Sequence, residues 1–290
     1  MTREVSASVL EFQQLMLPLK SVKIVVLNDH GNQIRTVDAD RAASGFIRRE
    51  SSGFFLYTAW HVVAGISRGE RRLPSDWERP TALRISLRSS ESVLPGVEAV
   101  KQPQETDVPL YASDSATPCW AQDPDIADAE LNGAGLRIPT RCDAVKVRLS
   151  GFDVSDLLAV ETEPQFPGVL LPGDKTLIVG HPSNGPDVMR AVSAPLVLTR
   201  FVATNLIDRQ PHQFLLDGCC IDGFAGAPIF VERASRLFAV GLYAGPTVET
   251  RDVRNRDFGV GCNLTLSWSQ PCDLGLRLDR RQSVRSTTEH

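Results

Sequence analysis

Three short stretches of the 290-residue chain hold residue types that could do acyl-transfer chemistry. The first, Thr58-Ala59-Trp60-His61-Val62-Val63-Ala64, delivers a histidine just past an apolar run, Gly53–Thr58. A histidine there can serve as a general base, although one in apolar surroundings is more often structural. The second, Asp125-Ile126-Ala127-Asp128-Ala129-Glu130-Leu131, starts with an acid followed by small and apolar residues. That pattern suits a strand start with an inward carboxylate, and it equally suits an ordinary turn. The third, Gly223-Phe224-Ala225-Gly226-Ala227-Pro228, precedes the apolar run Ile229-Phe230-Val231. Glycines two before and one after position 225 permit an unusual backbone turn. Such a turn can expose one side chain and aim backbone N–H groups into a common space, as an oxyanion site requires. A plain tight turn before a strand fits the same residues.

The elements that must position these stretches read as β-structure. Short β-rich runs separated by Gly, Pro, Asn and Asp are predicted at Val22–Leu27, Ser44–Ile47, Phe54–Thr58, Leu83–Leu87, Ala144–Leu149, Thr176–Gly180, Met189–Phe201, Gln213–Leu216, Pro228–Val231, Leu237–Tyr243 and Phe258–Leu264. Many short strands with turn signals predict an all-β barrel or sandwich. The stretch Arg88–Gln122, polar and rich in Ser and Pro, is predicted to be mostly loop. Gly151–Asp174, with Pro164, Pro167 and Pro172, is the best linker. Ser6–Leu17 has the apolar spacing of a short amphipathic helix, expected to pack on the body of the protein or, less simply, to dock a partner. The tail Asp279–His290 is polar and expected to fray.

Taken in order, the three stretches resemble the motifs of the trypsin-like serine peptidases. Thr-Ala-Trp-His-Val-Val looks like the histidine motif, Asp-Ile-Ala the aspartate motif, and Gly-Phe-Ala-Gly-Ala-Pro the serine motif with Ala225 in the serine's place. Val179-Gly180-His181-Pro182 resembles a strand of the second barrel in bacterial and intracellular members. The resemblance covers roughly residues 22–266. It implies a chymotrypsin-like fold of two six-stranded antiparallel β-barrels with a cleft between them. A helical segment would occupy residues 1–20, the first barrel 21–160, the second 161–275 and a tail 276–290.

The same resemblance implies roles. His61 would be the general base, Asp125 its orienting acid, and position 225 the nucleophile when occupied by serine. Asp123 and Asp128 are rivals, but Asp125 alone opens the Asp-Ile-Ala pattern. The N–H groups of Gly223 and Ala225 would form the oxyanion hole. Cys219, Tyr243, Ala244, Gly245 and Gly259 would wall the substrate pocket. Alanine has no nucleophilic atom, so the chain is expected to be inactive. Either a serine was deliberately replaced, which the intact surroundings favour, or the protein is a natural pseudoprotease that binds peptide.

Two departures from the secreted animal members matter. Phe224 stands where they carry the aspartate that pairs with a processed N-terminus, so activation by processing is not expected. Cys219 replaces the acidic floor of the trypsin pocket, predicting a small or apolar residue before the cut unless Asp217 or Asp222 reaches a basic one.

Composition agrees with a globular protein: 42% hydrophobic, 23% charged, net charge −4. There is no basic surplus for nucleic acid, and Glu70 interrupts the Arg68, Arg71 and Arg72 cluster. No apolar run is long enough for a membrane span, and the first residues lack a secretory pattern. The six cysteines, Cys119, Cys142, Cys219, Cys220, Cys262 and Cys272, show no metal-ligand spacing. Reduced thiols, a cytoplasmic location and no cofactor are expected. The partner would be a protein or peptide substrate in the inter-barrel cleft, with a regulatory protein as a second. Family-level likeness to bacterial defence and signalling proteases adds that one chosen protein would be cut.

Overall fold

The strands follow side chains that suit a half-buried pleated surface. Val22, Ile24 and Leu27 of β1 (Val22–Leu27) turn inward while Lys23 faces out. A computed structural model describes residues 17–28, 42–65, 79–87, 104–113, 117–122, 142–150, 166, 168–183, 195–205, 213–246 and 258–263.

The first half of the chain forms one antiparallel sheet. It contains β1, β2 (Ala42–Glu50), β3 (Gly53–Thr58), β4 (Ala82–Leu87), β5 (Gln104–Pro109), β6 (Trp120–Gln122) and β7 (Val145–Leu149). Their order across the sheet is β5-β4-β1-β2-β3-β7-β6. A 3₁₀ turn, Leu17–Lys20, leads into β1, and a short helix, α1 (Trp60–Ala64), follows β3. The second half forms a closed barrel from β8 (Lys175–Gly180), β9 (Leu196–Asn205), β10 (Gln213–Leu216), β11 (Pro228–Arg233), β12 (Arg236–Pro246) and β13 (Gly259–Asn263). The barrel order is β10-β13-β12-β11-β8-β9.

The sheet core holds Ile24, Ile47, Leu56, Leu83, Ile85, Trp60 and Trp120. Both indole N–H groups donate to one acceptor, Gln122 Oε1, at 3.1 and 3.0 Å. Sharing one carbonyl lets two large rings be buried without stranding a donor. The arrangement also ties α1 to β6. The barrel core holds Ile178, Val202, Phe214, Leu216, Phe224, Ile229, Val231 and Tyr243. A third cluster joins the halves: Phe46, Tyr57, Cys142 and Ala144 from the sheet meet Leu242, Ala244, Val260 and Cys262 from the barrel.

Three local details go beyond the expected double barrel. Among the described residues the first half is a seven-stranded half-barrel sheet. Its two outer strands are consecutive in the chain, joined by a bend with an isolated bridge, Tyr111 to Pro118. Pro109, opposite Ala82, is the last residue of β5, a strand-end place that suits its missing donor. Second, β5 and β6 lie within the predicted loop Arg88–Gln122. β5 is an edge strand exposed along most of its length, with only Val108 buried, so it shows no apolar alternation. Third, β9 runs on to Asn205, four residues past its predicted end. The segments Ser6–Met16, 151–165 and 279–290 lie outside the described residues.

Candidate active site

Strand register delivers the histidine to its acid. β3 and β7 pair antiparallel with Thr58 opposite Val145. Continuing three residues past Thr58 and stepping two back from Val145 brings His61 and Asp143 together. Trp60, Val62, Val63 and Ala64 are buried, which leaves His61 on the open side of α1. Asp143 is fully buried. One of its oxygens accepts the His61 backbone N–H at 2.9 Å, and the other meets Nδ1 at 2.7 Å. An ionised carboxylate only accepts, so against ionised Asp143 it is Nδ1–H that donates, which leaves Nε2 as the ring atom a general base would use. The imidazole is thereby held in the tautomer a general base needs.

The carboxylate on Nδ1 is that of Asp143. Asp125, expected there from the sequence, lies outside the described residues together with Asp123 and Asp128. A signal for Asp143 was present in the sequence. It is an acid followed by a small residue and the alternating strand Val145–Leu149, and that strand was itself predicted.

The turn 222–226 spends its backbone groups in a regular way. The carbonyl of Asp222 accepts from Ser183 N–H at 2.9 Å. That of Gly223 accepts from the Ser44 hydroxyl at 2.7 Å. That of Phe224 accepts from Ala227 N–H at 2.8 Å, and that of Ala225 from Ser44 N–H at 2.8 Å. Phe224 N–H donates to Ile221 and Gly226 N–H to Tyr243, at 3.3 and 2.7 Å. Among the described residues no acceptor takes the N–H of Gly223 or of Ala225. Four carbonyls are thus engaged, and the N–H groups of Gly223 and Ala225 are two donors of the kind an oxyanion hole needs.

Only glycine fits at two points of the turn. Gly223 has φ +93° and Gly226 φ +85°, in the left-handed region. A side chain on Gly226 would run into Ser44 O and Thr58 Oγ1 and lie 3.0 Å from Ala59 N. The turn is thus pressed against the junction of β3 and α1 that carries His61, and Ala225 packs on the sheet core. Phe224, fully buried in the barrel core, anchors the turn from the other side.

Of the predicted pocket residues, Cys219, Tyr243 and Gly259 come together. The Cys219 thiol donates to Phe258 O at 3.3 Å, and a side chain on Gly259 would stand 2.8 Å from both Gly218 O and the Tyr243 ring. Tyr243 is 2% exposed, and its hydroxyl accepts Cys220 N–H at 3.0 Å. Its ring therefore fills the space between β12, β13 and the 218–220 segment. Ala244 packs instead in the cluster joining the halves, while Gly245 is buried beside it on β12. Sequence reasoning missed Arg200, whose guanidinium donates twice to Cys219 O, at 3.2 and 2.6 Å. Burial pushes the Cys220 thiol up to about 12, so it stays protonated and offers no substitute nucleophile. Ser183 N–H serves the turn from a different loop.

Known structures share this architecture. Protease Anisep from Arthrobacter nicotinovorans is similar over 85% of this chain and 91% of its own, with a TM-score of 0.50 and 12% identity. The fold is the chymotrypsin-like double barrel. The thermostable serine protease AL20, from an extremophilic microorganism, covers the same shares with a TM-score of 0.49 and 10% identity. The serine endoprotease from Yersinia pestis covers 90% of this chain at a TM-score of 0.44 and 13% identity. This chain spans 64% of that protein's length. No protein-family profile matches the chain, and no curated protein matches it by sequence.

Proposed function

We propose that the site is that of a serine endopeptidase working through an acyl-enzyme, with Ala225 standing in the nucleophile's position. One observation carries this reading. A histidine locked by a buried carboxylate adjoins a turn in which the N–H groups of Gly223 and Ala225 have no acceptor among the described residues, as an oxyanion hole needs.

With serine at 225, its oxygen would bond to the scissile carbonyl carbon as His61 Nε2 takes the hydroxyl proton. The carbonyl π pair moves onto oxygen, facing the two N–H groups. Collapse breaks the C–N bond, and His61 returns the proton to the leaving amine. Water repeats the sequence to release the acid, and Asp143 stabilises the imidazolium in both halves. With Ala225 the peptide is bound but no ester forms.

The residue donating the attacked carbonyl is proposed to be small. Tyr243 occupies the interior of the expected pocket. Arg200 places a cation behind Cys219, and the carboxylate of Asp217 is engaged by Phe201 N–H at 2.9 Å. Control by N-terminal processing is not proposed, because Phe224 is built into the barrel core.

The test is Ala225→Ser followed by a fluorophosphonate probe and intact-mass analysis. Stoichiometric labelling, abolished by adding His61→Ala, is expected. The corresponding gain in turnover is about 10⁶-fold. A folded Ala225→Ser protein that takes no label would overturn the peptidase reading and leave a peptide-binding module.

A further inference from the structure

Ser44 belongs to β2 of the sheet, yet it makes contacts that shape a turn of the barrel. We infer that Ser44 is a positioning residue that sets the orientation of the Gly223 peptide and so forms the oxyanion hole. This rests on the peptidase reading and goes beyond it.

The argument begins with proton direction. The Ser44 hydroxyl accepts His181 N–H at 2.8 Å and donates to Gly223 O at 2.7 Å. A backbone N–H can only donate and a carbonyl can only accept, so the hydroxyl rotor has one satisfactory setting. Ser44 is fully buried, so water cannot replace either bond.

The consequence runs along the chain. The peptide 223–224 is held at its oxygen by Ser44 Oγ and at its nitrogen by Ile221 O. The peptide 225–226 is held at its oxygen by Ser44 N–H and at its nitrogen by Tyr243 O. Between them lies peptide 224–225, which carries one hole donor, and before them peptide 222–223, which carries the other. A peptide between two fixed planes has little freedom to rotate. Gly223, with no side chain and a positive φ, is the point where the turn could otherwise reorient. Ser44 also fixes β3, because its carbonyl accepts the Thr58 hydroxyl at 2.8 Å. One residue thereby ties the hole to the strand that leads into α1 and His61.

The experiment uses the full chain with Ala225→Ser as parent. If the parent takes no fluorophosphonate label, the peptidase reading has failed before this inference is reached. In a labelling parent, Ser44→Ala should lower kcat by about tenfold or more with KM unchanged. Affinity for a peptidyl boronic acid, whose adduct oxygen sits in the hole, should fall in parallel, while a cleaved product peptide binds as before. A purely structural role would not separate those two ligands. Equal kcat and equal boronate affinity in Ser44→Ala would overturn the inference. Should Ser44→Ala not fold, Ser44→Thr and Ser44→Val form a matched pair of equal shape. Thr, which keeps the hydroxyl, should retain at least tenfold more boronate affinity than Val. Equal affinity in the pair would overturn it.

Discussion

The two halves supply the site in different currencies. The open sheet contributes side chains: the imidazole of His61, the carboxylate of Asp143 and the hydroxyl of Ser44. The closed barrel contributes backbone: two N–H groups without an acceptor among the described residues, on a turn whose carbonyls at 222–225 are all engaged. A side chain can be exchanged with little damage to its scaffold. A backbone site can be altered only by changing the shape of the chain. Altering the first should therefore separate activity from stability, and altering the second should not.

The sharpest way to break this contrast lies on the sheet side. In the Ala225→Ser parent, Asp143→Asn should cut kcat by about 10⁴-fold, because the amide favours the wrong imidazole tautomer. Asn keeps the size of Asp, so the melting temperature should change little. Asp125→Asn should leave kcat as it was. Kinetics of the two variants side by side decide the acid, and a large loss with Asp125→Asn alone would return the role to that residue.

On the barrel side, Gly226→Ala should damage both properties at once. Its new methyl meets Ser44 O and Thr58 Oγ1 at a positive φ, and nothing there is free to yield. A cost of about 3 kcal/mol is expected, visible as a melting temperature several degrees lower, together with lost fluorophosphonate labelling in the parent. Unchanged melting would mean that the turn can be remodelled, and the contrast between halves would fall.

The mildest effect concerns selectivity. Tyr243→Ala, again in the parent, should shift preference from alanine towards leucine or phenylalanine before the cut by about 10–100-fold. A peptide library varied at that position reads the change. If the preference for small residues persists, Tyr243 does not fill the pocket that matters.

The same contrast explains what the sequence disclosed. The backbone site was legible because it demands glycine: Gly223 and Gly226 flank position 225 and mark the turn. Strands with β-branched alternation, such as Val22–Leu27 and Ala144–Leu149, were legible for their pleat. β5 was not, because an exposed edge strand needs no apolar face. Asp143 carried a strand-start signal, but its role was not legible for another reason. Its role comes from the pairing of Thr58 with Val145, a relation between strands far apart in the chain. Ser44 is harder still, since a serine in a strand carries no local mark of the carbonyl it will meet. Arg200 likewise acts through a strand neighbour that only the closed barrel defines.

The dependence of the turn on Ser44 also has a meaning for the chain's own biosynthesis. The strand bearing Ser44 leaves the ribosome long before residues 222–226 do, so the contact can form only once both halves have met. A serine-bearing version would stay harmless while half made. Cutting power would arrive only with the docking of the two halves, late in folding.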